Sequence, residues 1–287
     1  MISIRNNLNG WLVINKPREM GSTQVVGRLK HLLHPSKVGH AGTLDPLATG
    51  VLPIALGKAT RLIPFVMDDK KIYEFTIQWG SETDSDDLAG KEIATSDIRP
   101  KQQEILSILP QFMGQIMQTP SAFSAIKIDG ERAYNLARAG KKVVIKSRPV
   151  MIYNLKLLKC NKERADFVAT VGKGTYIRTL AHDIAHALNT VGVVTRLHRI
   201  QDGPFCIEQS IGFDGNLMEH ILPMESVLGD LSQIKIDADI AQRVRHGQRI
   251  KMSSLTCPNG MYALMCEDRI VALAEIKRDV LHPKAVF

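Results

Sequence analysis

Asp45 is the carboxylate whose surroundings best suit chemistry. It is the only acidic residue between Glu19 and Asp68, and it lies in the segment GTLDPLATG. Glycine and proline on both sides indicate an irregular loop, and such loops often present functional side chains from a rigid scaffold. A carboxylate there can act as a nucleophile. From composition alone, however, an Asp-Pro helix start that caps the turn 47–49 is the better interpretation.

Other groups of polar residues do not complete a recognisable site. His182 and His186 have helical i, i+4 spacing with Asp183 between them, as in zinc-binding helices, but the sequence shows no third ligand. The acidic run 84–87 begins like a calcium loop but lacks that loop's later glycine and glutamate. Each Gly-Lys pair lacks a following Ser or Thr, so there is no phosphate-binding P-loop. We therefore predict no metal and no cofactor.

Charge points to a polyanionic partner. The 287-residue chain has 37 Lys and Arg against 29 Asp and Glu, a net charge of +8 and a pI near 9.3. When a basic protein neutralises phosphates, the release of their counterions favours binding. The four cysteines are isolated from one another, and no apolar run approaches the ~18 residues of a membrane span. We expect a cytoplasmic protein with reduced thiols.

Apolar periodicity predicts an α+β protein. A helix should follow the GKGT turn, and from about residue 234 a short helix and two strands indicate a small β-rich module. The Gly- and Pro-rich stretch 39–57 is predicted to be irregular. The remaining patterns predict helices over 23–34, 102–113 and 131–139, and strands over 11–17, 71–80, 143–158, 165–171 and 193–207.

The loop around Asp45 resembles the signature of a known enzyme family. GHAGTLDPLATGVLP is similar to the motif of the TruB family of pseudouridine synthases, whose nucleophilic aspartate matches Asp45. Over roughly residues 10–230, further family motifs follow the same order: NKPREMGST, KIYEF, PSAFSAIKIDGERAYNLARAG, VGKGTYIRTLAHDI and VTRLHRIQDGPF. The sequence departs from the usual pattern at Phe123, at Gly172-Lys173 and at His198.

The resemblance implies an active site and a reaction. Asp45 would be the catalytic nucleophile and Arg178 its partner. The substrate-binding residues would be His40, Tyr73, Tyr176, Arg178 and Leu197. The implied reaction isomerises a flipped-out uridine, position 55 in the T arm of tRNA, to pseudouridine without a cofactor. Attack on C1′ of the ribose and attack on C6 of the base are both compatible with the sequence.

The resemblance also implies the architecture. We expect a catalytic domain over 1–231 with a large mixed, mainly antiparallel sheet flanked by helices. A small PUA-like RNA-binding domain would follow over 232–287, and the protein would act on tRNA as a monomer. Candidates for phosphate contact are Lys16, Arg18, Lys58, Arg61, Lys127, Arg132, Lys141, Lys142 and Arg148.

Two other functions stay open at this point. A tRNA-binding protein or tRNA-folding chaperone could share the fold and lack the chemistry. A metal-dependent nuclease would need an acidic cluster, which only the run 84–87 offers. The presence of Asp45, Tyr73, Tyr176 and Arg178 together favours the enzyme, because a chain that had lost the reaction would be free to replace them.

Overall fold

A computed structural model describes residues 6–67, 70–124, 126–128, 130–141, 143–229, 231–251 and 257–287. Two sheets dominate these residues, a nine-stranded sheet in the first part of the chain and a five-stranded sheet at the end. No helix in the described ranges has both the length and the apolar character needed to cross a membrane.

The first part of the chain alternates strands with short helices. The helices are α1 Ser22–Leu33, α2 Ile63–Val66, α3 Gln102–Ile108, α4 Ala133–Arg138 and α5 Ile177–Ala187. Short 3₁₀ helices span Gly57–Leu62, Leu109–Phe112, Ile207–Gln209, Leu217–His220 and Met224–Val227. The strands are β1 Gly10–Lys16, β2 Val38–His40, β3 Thr49–Leu56, β4 Lys71–Trp79, β5 Ser81–Thr83, β6 Glu92–Thr95, β7 Gly114–Gln118, β8 Lys127–Ile128, β9 Glu131–Arg132, β10 Arg148–Cys160, β11 Arg164–Val171, β12 Gly192–Asp202 and β13 Phe205–Cys206.

The large sheet has the order β1-β3-β12-β4-β11-β10-β7, with β2 beside β3 and β13 beside β12. Its pairs are antiparallel except for β3 and β12, which run parallel at the register His198–Thr49. This arrangement confirms the predicted mixed, mainly antiparallel sheet. The parallel contact matters for the site, because it places the end of the Asp45 loop beside the middle of β12.

The prediction of an irregular stretch over 39–57 is wrong for its second half, which forms β3. Pro53 lies within this strand, opposite Val13 of β1. Its carbonyl accepts a hydrogen bond from the Ala41 N–H. The proline nitrogen points to that same side of the strand, so β1 loses no donor from the ladder. Tertiary pairing with β1 therefore overrides the local Gly and Pro signal.

Other element boundaries differ by a few residues. Helix α4 begins two residues later than predicted, because 131–132 pair with β8 as strand β9. Strand β10 begins at Arg148, where pairing with β7 starts, and the preceding predicted strand residues have no ladder partner. Helices α1 and α5 agree with the predicted positions, and their buried residues repeat at helical spacing.

Strand β1 is buried on both faces. Leu12 and Ile14 belong to an apolar cluster that includes residues of α1, α3 and α5, so these helices cover one face of the sheet. Trp11 and Val13 point to the other face and join a second cluster. This double burial explains the unbroken apolar run WLVI, since a strand that faced water on one side would alternate with polar residues.

The C-terminal part supplies the other half of the second cluster. Its sheet has the order β14-β16-β17-β18-β15, from β14 Gln233–Lys235, β15 Ile250–Lys251, β16 Gly260–Cys266, β17 Arg269–Lys277 and β18 Val280–Val286, with helix α6 Ala238–Arg245. Leu273 of β17 and Phe287 pack in one cluster with Trp11 and Val13 of β1. The predicted small β-rich unit is therefore present, and it shares apolar core with the large sheet.

Candidate active site

The Asp45 loop, residues 41–48, connects β2 to β3 and is held in place by α1. The Ser22 hydroxyl, in the first turn of α1, accepts a hydrogen bond from Leu44 N–H at 2.9 Å and donates to Leu44 C=O at 3.0 Å. Leu44 itself is buried, whereas the Asp45 side chain next to it is 34% exposed. The loop therefore holds its apolar residue in the core and directs the carboxylate toward solvent.

Arg178 lies beside Asp45 in the first turn of α5. Its Nε donates to Asp45 Oδ2 at 2.8 Å, Nη1 donates to the Ser85 carbonyl at 2.7 Å, and Nη2 donates to the Phe123 carbonyl at 3.0 Å. The guanidinium is almost fully buried. Three different segments of chain therefore hold its orientation, and the carboxylate is held in turn by a rigid partner.

Asp87 is a second carboxylate near the same guanidinium, with Oδ2 3.6 Å from Arg178 Nε. Burial by itself would lower the pKa of Arg178, but the adjacent carboxylates of Asp45 and Asp87 raise it above its usual value. Arg178 therefore remains charged at any pH at which the protein is folded. Asp87 and Ser85 lie in the acidic run 84–87, which resembles only the start of a calcium loop, and both side chains are buried.

Tyr73 and Leu197 come from neighbouring central strands. Leu197 of β12 lies opposite Phe75 of β4, and Tyr73 is two residues away on the same strand. Both are buried and share the apolar cluster with Leu44, the residue before Asp45. The structure thus brings the predicted tyrosine and leucine to the Asp45 loop. Burial raises the pKa of Tyr73 despite the opposing effect of Arg199, so its hydroxyl stays a neutral donor.

Arg199 is a central residue that the sequence analysis did not single out. Its guanidinium is fully buried and reaches the Tyr73 hydroxyl at 3.4 Å and the Gly42 carbonyl at 3.2 Å. Asp202 forms ion pairs with both Arg199 and Lys71, each at 3.1 Å. Strand alternation could have indicated this residue, because it places Arg199 on the same side of β12 as Leu197.

Gly42 is required where the loop crosses this buried ion cluster. Its φ of +141° lies in a region that side-chain-bearing residues rarely adopt, and an added Cβ would lie 2.9 Å from Asp202 Oδ2. The motif GTLD therefore begins with glycine because its backbone passes close to the Asp202 carboxylate. That contact links the Asp45 loop to the strand that bears Leu197.

Tyr176 lies two residues before Arg178, and His40 lies directly before the Asp45 loop. Tyr176 precedes α5 and is held through its backbone by Gln118 of β7, while the Arg148 guanidinium lies 5.4 Å above its ring. His40 ends β2, and its Nδ1 is buried with no hydrogen-bond partner among the described residues. Burial and Arg199 lower the pKa of His40, so the imidazole is neutral near neutral pH.

The predicted phosphate contact by Lys16 does not fit the structure. Its side chain is fully buried, and Nζ donates to the carbonyls of Pro17, Met20 and Pro46. Because the ammonium is already committed to backbone carbonyls, Lys16 anchors the residue after Asp45 instead of facing RNA. Burial, opposed by Asp45, lowers the pKa of Lys16 to about 8.

Six of the other basic candidates are exposed. Arg148 is half-buried, and Lys142 lies outside the described residues. The phosphate contacts stay a prediction for the exposed residues Arg18, Lys58, Arg61, Lys127, Arg132 and Lys141.

A potential third ligand, which the sequence did not reveal, lies beside His182 and His186. Glu82 of β5 lies against both imidazoles, 3.4 Å from His182 Nε2 and 2.9 Å from His186 Nε2. Sequence spacing could not reveal this residue, because it lies about a hundred positions earlier and reaches the helix only through the fold.

Comparison with known proteins places this arrangement in a family. Residues 30–177 match the model of the TruB family pseudouridylate synthase (N terminal domain). A tRNA pseudouridine synthase B of Bradyrhizobium diazoefficiens is 43% identical, over 99% of this chain and 87% of the relative. One of the same name from Novosphingobium aromaticivorans is 45% identical, over 94% of each protein.

Solved structures show the same fold at lower identity. A chain of an H/ACA RNP bound to a substrate RNA containing 2′-deoxyuridine superposes with a TM-score of 0.75 at 24% identity, over 97% of this chain and 84% of that one. A chain of a Cbf5-Nop10-Gar1 complex gives 0.74 at 25% identity, over 96% and 84%. The match of the family model to more than half of the sequence, with near-full-length relatives above 40% identity, is decisive: this chain belongs to the TruB family of pseudouridylate synthases and is an isomerase.

Proposed function

We propose that this chain converts uridine 55 in the T arm of tRNA to pseudouridine, with Asp45 as the nucleophile. The observation that carries the proposal is the Asp45–Arg178 contact, a partly exposed carboxylate held at 2.8 Å by a buried guanidinium. The names of the relatives, tRNA pseudouridine synthase B, support tRNA as the substrate. The T arm and position 55 follow from the resemblance of the loop motif.

The chemistry requires little beyond such a carboxylate. The N1–C1′ bond of the uridine is broken, the uracil rotates, and C5 bonds to C1′ in place of N1. No atom or electron is gained overall, so a single nucleophile and a proton transfer suffice. Asp45 can attack either C1′ or C6, and both routes use the same oriented carboxylate. Arg178 donates one hydrogen bond to Asp45 Oδ2, and its own position is fixed by hydrogen bonds to the Ser85 and Phe123 carbonyls.

The surrounding side chains suit a base that has been turned out of its helix. The Tyr73 ring offers a stacking surface and its neutral hydroxyl a proton donor, while Leu197 and Tyr176 would border the uracil as it turns. The buried Nδ1 of His40, which has no hydrogen-bond partner among the described residues, would bind a polar group of the flipped nucleotide. Flipping costs a few kcal/mol of unstacking, which contacts to RNA phosphates would offset.

The test replaces Asp45 by Asn, which keeps the size but removes the charge and the nucleophile. Formation of pseudouridine at position 55 should fall by more than about a thousandfold. The dissociation constant for the unmodified tRNA should change little, because binding arises from phosphates and stacking. Product is measured by release of tritium from C5-labelled uridine, and binding by filter retention.

Asp97→Asn is the matched control, since Asp97 is exposed and lies outside the site. It should retain full activity. Turnover by Asp45→Asn at even about a tenth of the normal rate would rule out the assigned nucleophile. A wild-type chain that binds and refolds tRNA but forms no pseudouridine would instead identify the non-catalytic RNA chaperone.

A further inference from the structure

A compact cluster of metal-ligating side chains lies outside the active site. Glu82 extends from β5, and His182 and His186 occupy successive turns on one face of α5. The two imidazole rings stack with their centroids 4.1 Å apart. The ligand atoms of all three residues lie within 4.8 Å of one another.

The distances in this cluster fit tetrahedral coordination. Zinc binds His nitrogen and carboxylate oxygen at about 2.0–2.2 Å, so ligand atoms in a tetrahedron are separated by about 3.3 Å. Glu82 Oε1 lies 3.4 Å from His182 Nε2, and Oε2 lies 2.9 Å from His186 Nε2. Both imidazoles therefore direct Nε2 toward one carboxylate, and a cation between them would need only small side-chain movements.

The second nitrogen of His182 supports the same conclusion. Its Nδ1 lies 3.2 Å from Asp183 Oδ1, where a carboxylate accepts the Nδ1 proton. With the proton on Nδ1 alone, the lone pair on Nε2 faces Glu82, and the contact then requires either a cation between the two atoms or a second ring proton. A carboxylate that orients a ligating histidine in this way is a recurring feature of zinc sites. The Glu82 side chain is only 12% exposed, which raises the need for a compensating cation.

We propose that Glu82, His182 and His186 form a binding site for a divalent transition metal ion of the zinc class, with water completing the coordination. Two imidazoles and one carboxylate favour zinc, nickel or cobalt over magnesium or calcium. The ion takes no part in the isomerisation. The ion connects β5 to α5. The segment that follows β5 contains Ser85, whose carbonyl accepts a hydrogen bond from Arg178. Metal binding therefore stabilises the surroundings of Arg178.

The experiment uses the full-length chain after treatment with a chelator. Titration with zinc chloride, followed by calorimetry, should give one zinc ion per chain. Cobalt(II) should produce the visible absorption bands of a tetrahedral site. Zinc should also raise the midpoint of thermal unfolding, whereas magnesium should not.

His186→Ala and Glu82→Gln should each weaken zinc binding by more than about tenfold and abolish the stabilisation. His186 is half-exposed, so its replacement leaves the fold intact, as circular dichroism without metal would check. His31→Ala is the matched control, because His31 and His34 form another close but exposed pair of rings, and it should bind zinc like the wild type. The proposal fails if the wild type binds no zinc at micromolar free concentration. The cluster would then be a protonated histidine–carboxylate pair. It also fails if both variants bind zinc like the wild type.

Discussion

Asp45 and Arg178 differ in exposure in a way that suits their proposed roles. The carboxylate is partly open to solvent and so to a substrate, while the guanidinium is buried and anchored on two backbone carbonyls. A lysine at position 178 could pair with Asp45 but could not satisfy both carbonyls in the same planar geometry. The site therefore depends on the shape of arginine as well as on its charge.

Lys16 gives a prediction about pH at the same scale. Its pKa is about 8 in the folded protein against the ordinary value of 10.5. Between these values the unfolded chain holds a proton that the folded chain has released, so stability rises with pH. In Lys16→Met this contribution is absent. The wild type should therefore gain stability relative to the variant by up to about 1.4 kcal/mol per pH unit from about pH 8 to pH 10.

Urea unfolding of both proteins at several pH values measures this difference. Lys58→Met is the control, because Lys58 is exposed. Its stability should follow that of the wild type across the range. A constant difference between wild type and Lys16→Met would show that Lys16 remains protonated throughout, held by its three carbonyl acceptors.

Among the elements, α1 has a role that its sequence does not suggest. Ser22 looks like a helix cap, but Gly21 occupies the cap position and the Ser22 hydroxyl binds the backbone of Leu44. The helix thus packs against the sheet through Val25 and Leu29 and, at its first turn, fixes the Asp45 loop.

Ser22→Ala should loosen this loop. Two buried backbone groups of Leu44 lose their partner, which should lower the free energy of unfolding by about 1–3 kcal/mol. We expect kcat on tRNA to fall several-fold through misplacement of Asp45, with a smaller change in KM. Single-turnover kinetics and urea unfolding measure the two effects.

Ser107→Ala serves as control, since that hydroxyl donates to a carbonyl of its own exposed helix. Its stability should stay within about 0.5 kcal/mol of the wild type and its turnover should not change. If Ser22→Ala retained wild-type kcat and stability, the hydroxyl would not be what positions the loop.

At the scale of the whole molecule, the two sheets share a core. Trp11 and Val13 of the large sheet pack with Leu273 and Phe287 of the C-terminal unit. A chain ending at Ser232 would lose Leu273 and Phe287 from this cluster and would expose part of its apolar surface. We expect the shortened chain to aggregate or to unfold at a clearly lower temperature than the full chain.

Tryptophan fluorescence reports the exposed face directly. Trp11 and Trp79 are the two tryptophans, so both chain lengths are compared with Trp79 replaced by Phe. The emission of Trp11 should move to longer wavelength in any soluble shortened chain. Unchanged emission and an unchanged unfolding midpoint would mean that the C-terminal unit is an independent appendage, as a purely RNA-binding role would allow.

The sequence by itself determined the family, the candidate site residues and most elements near them. The run around Asp45 is local, so its glycine and proline indicated a presenting loop. The family motifs along the chain made Asp45, Tyr73, Tyr176, Arg178 and Leu197 candidates for the site. Helices α1 and α5 were predictable because burial of one helical face imposes a repeat on the sequence itself.

The tertiary structure alone decided which distant residues meet. Strand β3 contradicts its local composition because pairing with β1 fixes it. Several contacts join residues that are far apart in the chain. Lys16 binds the Pro46 carbonyl, Arg199 lies between Tyr73 and Gly42, and Glu82 lies against His182. Such contacts leave no periodic trace in the sequence, since each depends on how whole elements pack. For this reason Asp45 and Arg178 could be singled out from the sequence, whereas the contacts of Lys16, Arg199 and Glu82 could not.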